Sequence, residues 1–189
     1  VRTVRSRLSP GCALMGVVKA DAYGHGDKFI ADAMVQLGVD WFGVSNIDEA
    51  LSLRMQGIYH PILIFGATPV DCAKLLNEYN LTQTIYSLAY AEKLHASAMD
   101  ADVDIGIHIK VDTGMSRLGF VLLNGFAPRS VDEIHKVHAM ERFRAGGIFT
   151  HFAVADEEEE ESKAYTRMQF HLFQQVLATL EQQGIAFPI

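Results

Sequence analysis

The sequence predicts an α/β fold in which helices cover a parallel β-sheet. Short apolar runs recur along the chain, and each is rich in the β-branched and aromatic residues that suit buried strands. Amphipathic stretches separate these runs, and no block of consecutive strands occurs. The alternation fits two layouts, an open doubly wound sheet or a (β/α)8 barrel, and the pattern alone does not decide between them.

Six apolar runs are predicted to form the strands. They span residues 13–19, 41–45, 61–66, 81–87, 104–111 and 146–152. A complete (β/α)8 barrel typically takes about 250 residues, whereas this chain has 189. If the sheet closes toward a barrel, we therefore expect a partial one with about six β/α units.

Helix start signals lie between the predicted strands. They are capping boxes at Asn46/Glu49 and Ser130/Glu133, an N-cap with a following proline at Thr68–Pro69, and Asp27 as a cap. The last helix is predicted to place Tyr165, Met168, Leu172, Val176 and Leu180 on one face and to end at Gly184. The acidic run 156–162 ahead of it is interpreted as a solvated loop.

Composition limits the classes of function. A net charge of -7 argues against general nucleic-acid binding. No apolar run is long enough to span a membrane, and the basic start, residues 1–7, does not resemble a signal peptide. The two cysteines, Cys12 and Cys72, indicate neither a disulfide framework nor a metal site, so a reducing cytoplasm and no metal are expected.

The segment VVKADAYGHG, residues 17–26, is the first that suggests chemistry. Lys19 ends a predicted buried strand, and the C-terminal ends of parallel strands form the active-site rim of α/β proteins. A neutral lysine amine there can form a Schiff base with an aldehyde cofactor. Gly24 and Gly26 would let the backbone turn tightly before the next helix. For an isolated lysine, a side chain that simply extends from a strand end is an equally good interpretation.

The segment IHIKVDTGMSRLGF, residues 107–120, is the second. Period-two alternation places its aliphatic residues on one face and His108, Lys110 and Asp112 on the other, which we expect to point into a barrel. Arg117, beyond the turn, could supply a fixed charge at the rim. An internal ion pair between Lys110 and Asp112 is the structural alternative.

The segment GGIFTHFAVAD, residues 146–156, places His151 near the end of the sixth predicted strand. A single histidine more often packs or forms a hydrogen bond than acts in catalysis. The pairs His135/His138 and His60/His95 lack the spacing of metal ligands.

Together, these three segments resemble the alanine racemase family of fold type III pyridoxal-phosphate enzymes. VVKADAYGHG resembles the cofactor-attachment motif of that family, HIKVDTGMSRLGF its second signature and GIFTHFAVAD its third, in the same order. WFGVSNIDEALSLR and PILIFGATP also look like the family, so the resemblance covers essentially the whole chain. It implies that residues 1–189 are an N-terminal (β/α)8 barrel domain truncated at both ends, without the family's C-terminal β domain.

The resemblance also implies roles for individual residues. Lys19 would be the Schiff-base lysine and one of two catalytic acid/bases, and Tyr23 would bind the cofactor phosphate. Lys110 matches a lysine that is often carbamylated, and Arg117 matches an arginine that contacts the phenolic oxygen of the cofactor and the carbamate. His151 matches a histidine that supports the arginine at the pyridine nitrogen.

By this resemblance, the complete enzyme would be a cytoplasmic homodimer that interconverts L- and D-alanine for peptidoglycan. The pyridine-nitrogen arginine, the last strands and the second base, a tyrosine of the partner subunit, would lie outside residues 1–189. We therefore expect this segment alone to be inactive. The alternatives are a serine or broad-specificity racemase, and a non-catalytic pyridoxal-phosphate-binding barrel of cofactor homeostasis. A purely structural α/β domain would require three motifs to coincide by chance.

Overall fold

The computed structural model describes residues 1–125 and 127–189, which divide into two compact units, Val1–Thr84 and Ile85–Ile189. Each unit has its own strands, helices and buried residues. All strand pairings recorded within the units are parallel, as the alternating pattern predicts. None of the helices formed by the described residues is long and apolar enough to cross a membrane.

The first unit is built on four strands. These are β1 (Met15–Val17), β2 (Trp41–Val44), β3 (Ile62–Ile64) and β4 (Thr82–Ile85). They pair in sequence order, β1 with β2, β2 with β3 and β3 with β4. The connecting helices are α1 (Arg2–Arg5), α2 (Lys19–Gly24), α3 (Asp27–Gln36), α4 (Ile47–Met55) and α5 (Ala73–Glu78), the last preceded by a 3-10 turn at Val70–Cys72.

The second unit is centred on its longest strand. Its elements are α6 (Leu88–Ala101), β5 (Ile105–Asp112), β6 (Phe120–Val121), α7 (Ala127–His138), β7 (Phe143–Phe149) and α8 (Glu160–Gln182). Strand β5 pairs with β7 along most of its length, and its last two residues pair with β6. A register shift between Ile107 and His108 interrupts the pairing with β7.

Among the described residues, the six predicted strands are present together with a seventh. Strand β6 was not predicted because two residues carry no detectable period, and it exists only by pairing with the end of β5. Strand β7 begins three residues before the predicted run 146–152. The first residues of β7 include Arg144, which forms a salt bridge with Asp104 at 3.2 Å. A search for apolar runs therefore misses the start of this strand.

The helix start signals are confirmed at one position and wrong at others. Asn46 caps α4, because its side chain accepts a hydrogen bond from the amide of Glu49 at 3.0 Å. Ser130 is not a cap: it lies inside α7 and donates its hydroxyl to the carbonyl of Val121 at 2.6 Å. Its spacing to Glu133 therefore has no capping meaning, and Glu133 instead pairs with Arg129 at 2.8 Å.

Two further start signals are also wrong. Thr68 is buried and donates its hydroxyl to Gln83 Oε1 at 2.6 Å, while Pro69 precedes a 3-10 turn rather than an α-helix. Asp27 is the first residue of α3, and its own amide is bound at 2.7 Å by the carboxylate of Asp21, which satisfies that donor in its place.

Helix α8 follows the prediction at its C-terminal half. Val176 and Leu180 are buried, and Gly184 has the positive φ of 81° that commonly ends a helix. At its N-terminal half, the residue that is fully buried is polar Gln169, whereas Tyr165 is 37% exposed. The helix begins at Glu160, inside the acidic run, where negative charge favours a helix N-terminus.

Candidate active site

Lys19 lies at the C-terminal end of β1, as predicted. Strand β1 ends at Val17, Val18 is 1% exposed, and Lys19 is the half-buried first residue of α2. A Cβ added at Gly16 would lie 2.5 Å from Met34 Sδ, so α3 packs closely on that face of the strand. The lysine is therefore positioned by a short, well-packed strand rather than by a free loop.

The backbone after Lys19 is left-handed. Ala20, Asp21, Ala22 and Tyr23 have φ of 52°, 54°, 51° and 58°, with ψ between 35° and 51°. Such a run is unfavourable for residues with a Cβ atom, at about 1–2 kcal/mol each. Gly24 and Gly26 extend the positive φ values to 82° and 89°. Strained backbone of this kind tends to persist at functional sites, where the surroundings hold it in place.

Tyr23 and Lys19 lie together at this turn. The Nζ atom of Lys19 is 6.0 Å from the centroid of the Tyr23 ring, and Tyr23 is 61% exposed. An exposed phenol is a hydrogen-bond donor for an anionic group, and a primary amine is the nucleophile that an aldehyde requires. The two groups thus fit a cofactor that carries both an aldehyde and a phosphate.

Glu49 holds the backbone directly after Lys19. Its Oε1 accepts a hydrogen bond from the amide of Ala20 at 2.8 Å, and its Oε2 accepts one from the amide of Ser45 at 2.7 Å. Glu49 therefore satisfies the first amide of the left-handed turn and the amide that follows β2. Sequence analysis identified Glu49 only as part of a capping box, in which a glutamate is expected to bind the cap residue's own amide.

In the second unit, residues 105–112 form the strand that the alternation predicts. Ile105, Ile107, Ile109 and Val111 are fully buried. The polar residues between them are also buried, with His108, Lys110 and Asp112 only 4%, 7% and 6% exposed. Burial of both faces is typical of a central parallel strand.

His108 sits against two glycines of β7. A Cβ at Gly147 would lie 2.7 Å from His108 Cε1, and one at Gly146 would lie 3.4 Å from its Nε2. These glycines leave the space that the imidazole occupies. Burial lowers the pKa of His108 from 6.5 to about 4, so the ring is neutral near pH 7.

Lys110 and Asp112 have different surroundings. The Nζ atom of Lys110 is 5.2 Å from the centroid of the Phe149 ring, within cation–π range. Oδ1 of Asp112 accepts hydrogen bonds from the amides of Gly114 and Ser116, at 2.9 and 3.0 Å. Asp112 therefore organises the turn after β5, a role that sequence analysis did not assign.

Arg117 lies in the turn that this carboxylate organises, and its side chain is exposed. Ser116, with φ of 56°, and Gly114, with φ of 136°, give the turn its shape. A Cβ at Gly119 would lie 2.8 Å from the amide nitrogen of Asp112, so glycine allows the chain to return alongside β5 as β6.

Gln169 of α8 connects the segments that carry Arg117 and His151. Its Nε2 donates to Thr113 Oγ1 at 3.3 Å and to the carbonyl of His151 at 3.2 Å. Its Oε1 accepts from the amide of Ala153 at 2.9 Å. His151 itself is exposed, two residues beyond the end of β7. Sequence analysis missed Gln169 because its role depends on tertiary contacts with the ends of two strands.

The candidate residues thus divide between the two units. Lys19 and Tyr23 lie in the first unit, and Lys110, Arg117 and His151 lie in the second. Within each unit, they lie on parallel strands or in the segments that follow the C-terminal strand ends, where ligand sites of α/β proteins form. Among the described residues, no group of three histidine, cysteine or acidic side chains could hold a metal ion.

Comparison with known proteins places these features in one family. Alanine racemase 1 of Oceanobacillus iheyensis is 41% identical over 192 residues, which cover 100% of this chain and 48% of the relative. An alanine racemase of Methanococcus maripaludis is 40% identical, with 100% and 49% covered. The chain therefore spans about half the length of these curated relatives.

Solved structures of alanine racemases also match this chain. The alanine racemase of Clostridium difficile 630 in complex with cycloserine matches with a TM-score of 0.90 at 34% identity, over 100% of this chain and 50% of that one. A histidine racemase from Leuconostoc mesenteroides matches with a TM-score of 0.77 at 29% identity, over 86% of this chain and 42% of that one. The expected α/β fold, that of the N-terminal barrel portion of alanine racemases, is confirmed. Because the model of the family described as alanine racemase, N-terminal domain, matches residues 1–189, this chain belongs to that family.

Proposed function

We propose that the protein carrying this chain is a pyridoxal-phosphate-dependent racemase that interconverts L- and D-alanine. The observation that carries the proposal is the position of Lys19, at the C-terminal end of β1 and 6.0 Å from the ring centroid of Tyr23. It lies in a chain that matches the alanine racemase N-terminal domain throughout.

The residues present suit pyridoxal phosphate. When bound, this group supplies an aldehyde for a primary amine and a conjugated ring that delocalises the charge left by a departing proton. Lys19 would hold it covalently, and the exposed phenol of Tyr23 would donate to its phosphate. Arg117 would donate to the ring oxygen, and His151 would support the cationic group at the ring nitrogen. These four assignments rest on motif position.

The chemistry asked of Lys19 is proton transfer at the α-carbon of the substrate. With pyridoxal phosphate bound, the amine of Lys19 would take or return a proton on one face of that carbon. Inversion needs a second acid/base on the opposite face. By resemblance to the family, that group is a tyrosine of a partner subunit in a homodimer.

Lys110 is the proposed site of carbamylation, in which its neutral amine bonds to carbon dioxide and releases a proton. The burial of Lys110, which is only 7% exposed, supports this proposal. The modification would replace a buried cation by an anion that is complementary in charge to the guanidinium of Arg117. Labelled bicarbonate should give a carbamate carbon resonance in the wild-type protein, and that resonance should be missing from Lys110→Met.

A second candidate substrate is histidine, because the chain also resembles a histidine racemase over 86% of its length. Serine or a broad range of amino acids are further alternatives from the sequence. A non-catalytic cofactor carrier is the alternative from a different class, and it predicts binding of pyridoxal phosphate without turnover.

Chiral chromatography of a substrate panel tests the proposed function. With pyridoxal phosphate added, the full-length protein should racemise L-alanine faster than L-serine or L-histidine. The Lys19→Ala variant should racemise none of them. A preference for L-histidine would replace the substrate, and cofactor binding without racemisation of any amino acid would favour the carrier. Residues 1–189 made alone should be inactive in the same assay.

The biological setting is also part of the proposal. D-alanine for peptidoglycan would be made in the cytoplasm, and the gene should relieve the D-alanine requirement of a racemase-deficient bacterium. Light scattering should report a homodimer for the full-length protein. Growth only with added D-alanine, or a monomer with full activity, would contradict this part.

A further inference from the structure

We propose that Glu49 is a positioning residue for Lys19, because its carboxylate binds the amide directly after that lysine and fixes the direction from which the amine leaves β1. The proposal deepens the function proposed above and rests on Lys19 being the residue that holds the cofactor.

The geometry places Glu49 between two neighbouring strand ends. Strands β1 and β2 pair in parallel, with Val17 opposite Gly43. Glu49 Oε1 accepts from the amide of Ala20 at 2.8 Å, and Oε2 accepts from the amide of Ser45 at 2.7 Å. One carboxylate therefore joins the residue after Lys19 to the residue after β2.

The position of Glu49 is itself well defined. It lies in the first turn of α4, and its amide donates to the side chain of Asn46, the N-cap, at 3.0 Å. The backbone that carries Glu49 is thus fixed by the cap, so the carboxylate can act as a rigid acceptor rather than as a mobile surface charge.

The amide that Glu49 binds needs an external acceptor. It opens a left-handed turn, in which Ala20 has φ of 52° and ψ of 51°. The amide of Ala22 is satisfied by the carbonyl of Val18 at 3.0 Å, but the amide of Ala20 precedes that internal bond. A carboxylate accepting this amide fixes the peptide plane between Lys19 and Ala20, and with it the start of the lysine side chain.

The chemistry of the acceptor determines the test. A carboxylate can accept from two amides at once, whereas a carboxamide has one accepting oxygen and would turn its own donor toward the second amide. Glu49→Gln should therefore break one of the two bonds with almost no change in side-chain volume. Asp48→Asn is the matched control, since it removes the same charge from the same helical turn at an exposed position.

The measurements are made on the full-length protein. Relative to Asp48→Asn, Glu49→Gln should weaken the equilibrium affinity for pyridoxal phosphate by about tenfold, the change expected for one lost hydrogen bond to a charged group. It should also slow borohydride-trapped labelling of Lys19 and lower kcat more than it changes KM. The thermal midpoint of cofactor-free Glu49→Gln should lie several degrees below that of Asp48→Asn, because the lost hydrogen bond is present before the cofactor binds.

Two results would overturn the proposal. One is equal cofactor affinity and equal labelling rate in Glu49→Gln and Asp48→Asn. If Lys19 of the wild type is still labelled, this result refutes the role of Glu49 but leaves the proposed function intact. The other is measured on wild-type protein without cofactor, so it does not require a variant that folds. The amide of Ala20 should exchange hydrogen as slowly as that of Ala22. Rapid exchange at Ala20 alone would contradict the hydrogen bond to Glu49. Failure to label Lys19 in the wild type would instead refute the function.

Discussion

Tyr165 of α8 donates its phenolic hydroxyl to the carbonyl of Gly114 at 2.8 Å, and a Cβ at position 114 would lie 2.5 Å from the phenolic oxygen of Tyr165. The glycine in the turn after β5 thus serves a contact with a helix far along the chain. Gly119, at the end of the same turn, faces backbone instead, since a Cβ there would lie 2.8 Å from the amide of Asp112.

Alanine substitutions at these two glycines should therefore differ. Gly114→Ala should cost about 1–3 kcal/mol in free energy of unfolding, from strain at φ of 136° and displacement of the phenol. Gly119→Ala should cost more, because backbone of β5 would have to move. Gly184→Ala, with φ of 81° but no atom near its Cβ, measures strain alone.

A double-mutant cycle by chemical denaturation checks the Tyr165 contribution. Gly114→Ala should cost about 1 kcal/mol less in a Tyr165→Phe background, because the hydrogen bond is already gone. Strict additivity of the two changes would show that the phenol does not respond to the residue at position 114.

Replacing Gln169 by leucine should strongly destabilise the protein. Gln169 is fully buried. Leucine would remove the acceptor of the Ala153 amide and the side-chain amide that donates to Thr113 Oγ1 and to the carbonyl of His151. Groups left unsatisfied in the interior cost about 1–3 kcal/mol each. Gln174→Leu, at an exposed position of the same helix, is the control and should change the free energy of unfolding by less than about 0.5 kcal/mol. Similar losses in both variants would contradict the network.

His108 should make stability depend on pH in the acidic range. Its folded pKa is about 4 against 6.5 for the ordinary ring, so between these values the unfolded chain binds a proton that the folded protein does not. The free energy of unfolding should fall as pH decreases from 6.5 to about 4, by on the order of 3 kcal/mol. Above pH 6.5, His108 should contribute no slope.

Denaturation curves at several pH values check this prediction by comparing variants. His108→Gln should show a shallower loss of stability between pH 6.5 and 4 than the wild type. His135→Gln, at an exposed histidine of α7, should leave the slope unchanged. Parallel pH profiles for the wild type and His108→Gln would mean that the buried ring is not the source.

The left-handed turn after Lys19 should tolerate glycine. Ala20 is exposed with φ of 52°, so Ala20→Gly relieves about 1–2 kcal/mol of backbone strain and loses about 0.5–1 kcal/mol to the greater entropy of the unfolded chain. Stability should stay level or rise. Ala96→Gly, at an exposed position in the right-handed helix α6, should instead cost about 1 kcal/mol. Equal losses at both positions would argue against the left-handed conformation.

Local patterns predicted much of this molecule. The apolar runs indicated six of the strands, and the alternation along β5 predicted which of its residues share a face, because period two follows from the backbone itself. The cap at Asn46 was correct because it is a contact between residues close in sequence. The position of Lys19 at a strand end followed from the length of the apolar run before it.

Most of the errors and omissions arise from contacts between segments that are distant in sequence. Ser130 has the composition of a cap, but its hydroxyl is bound by Val121 of β6, which is itself formed only by pairing. Thr68 likewise binds Gln83. The hydrogen bond between Glu49 and Ala20 crosses between adjacent strand ends, and no spacing within one helix reveals it.

Borohydride reduction followed by peptide mass mapping tests most directly whether Lys19 is the lysine that holds pyridoxal phosphate. The full-length protein, mixed with the cofactor and reduced, should carry a stable pyridoxyl label on Lys19. Lys28→Ala, a change at an exposed lysine of α3, should leave that label in place, and Lys19→Ala should abolish it together with the absorbance of the bound cofactor. A label on Lys110 in the wild type, or one retained at full yield in Lys19→Ala, would contradict the assignment of Lys19.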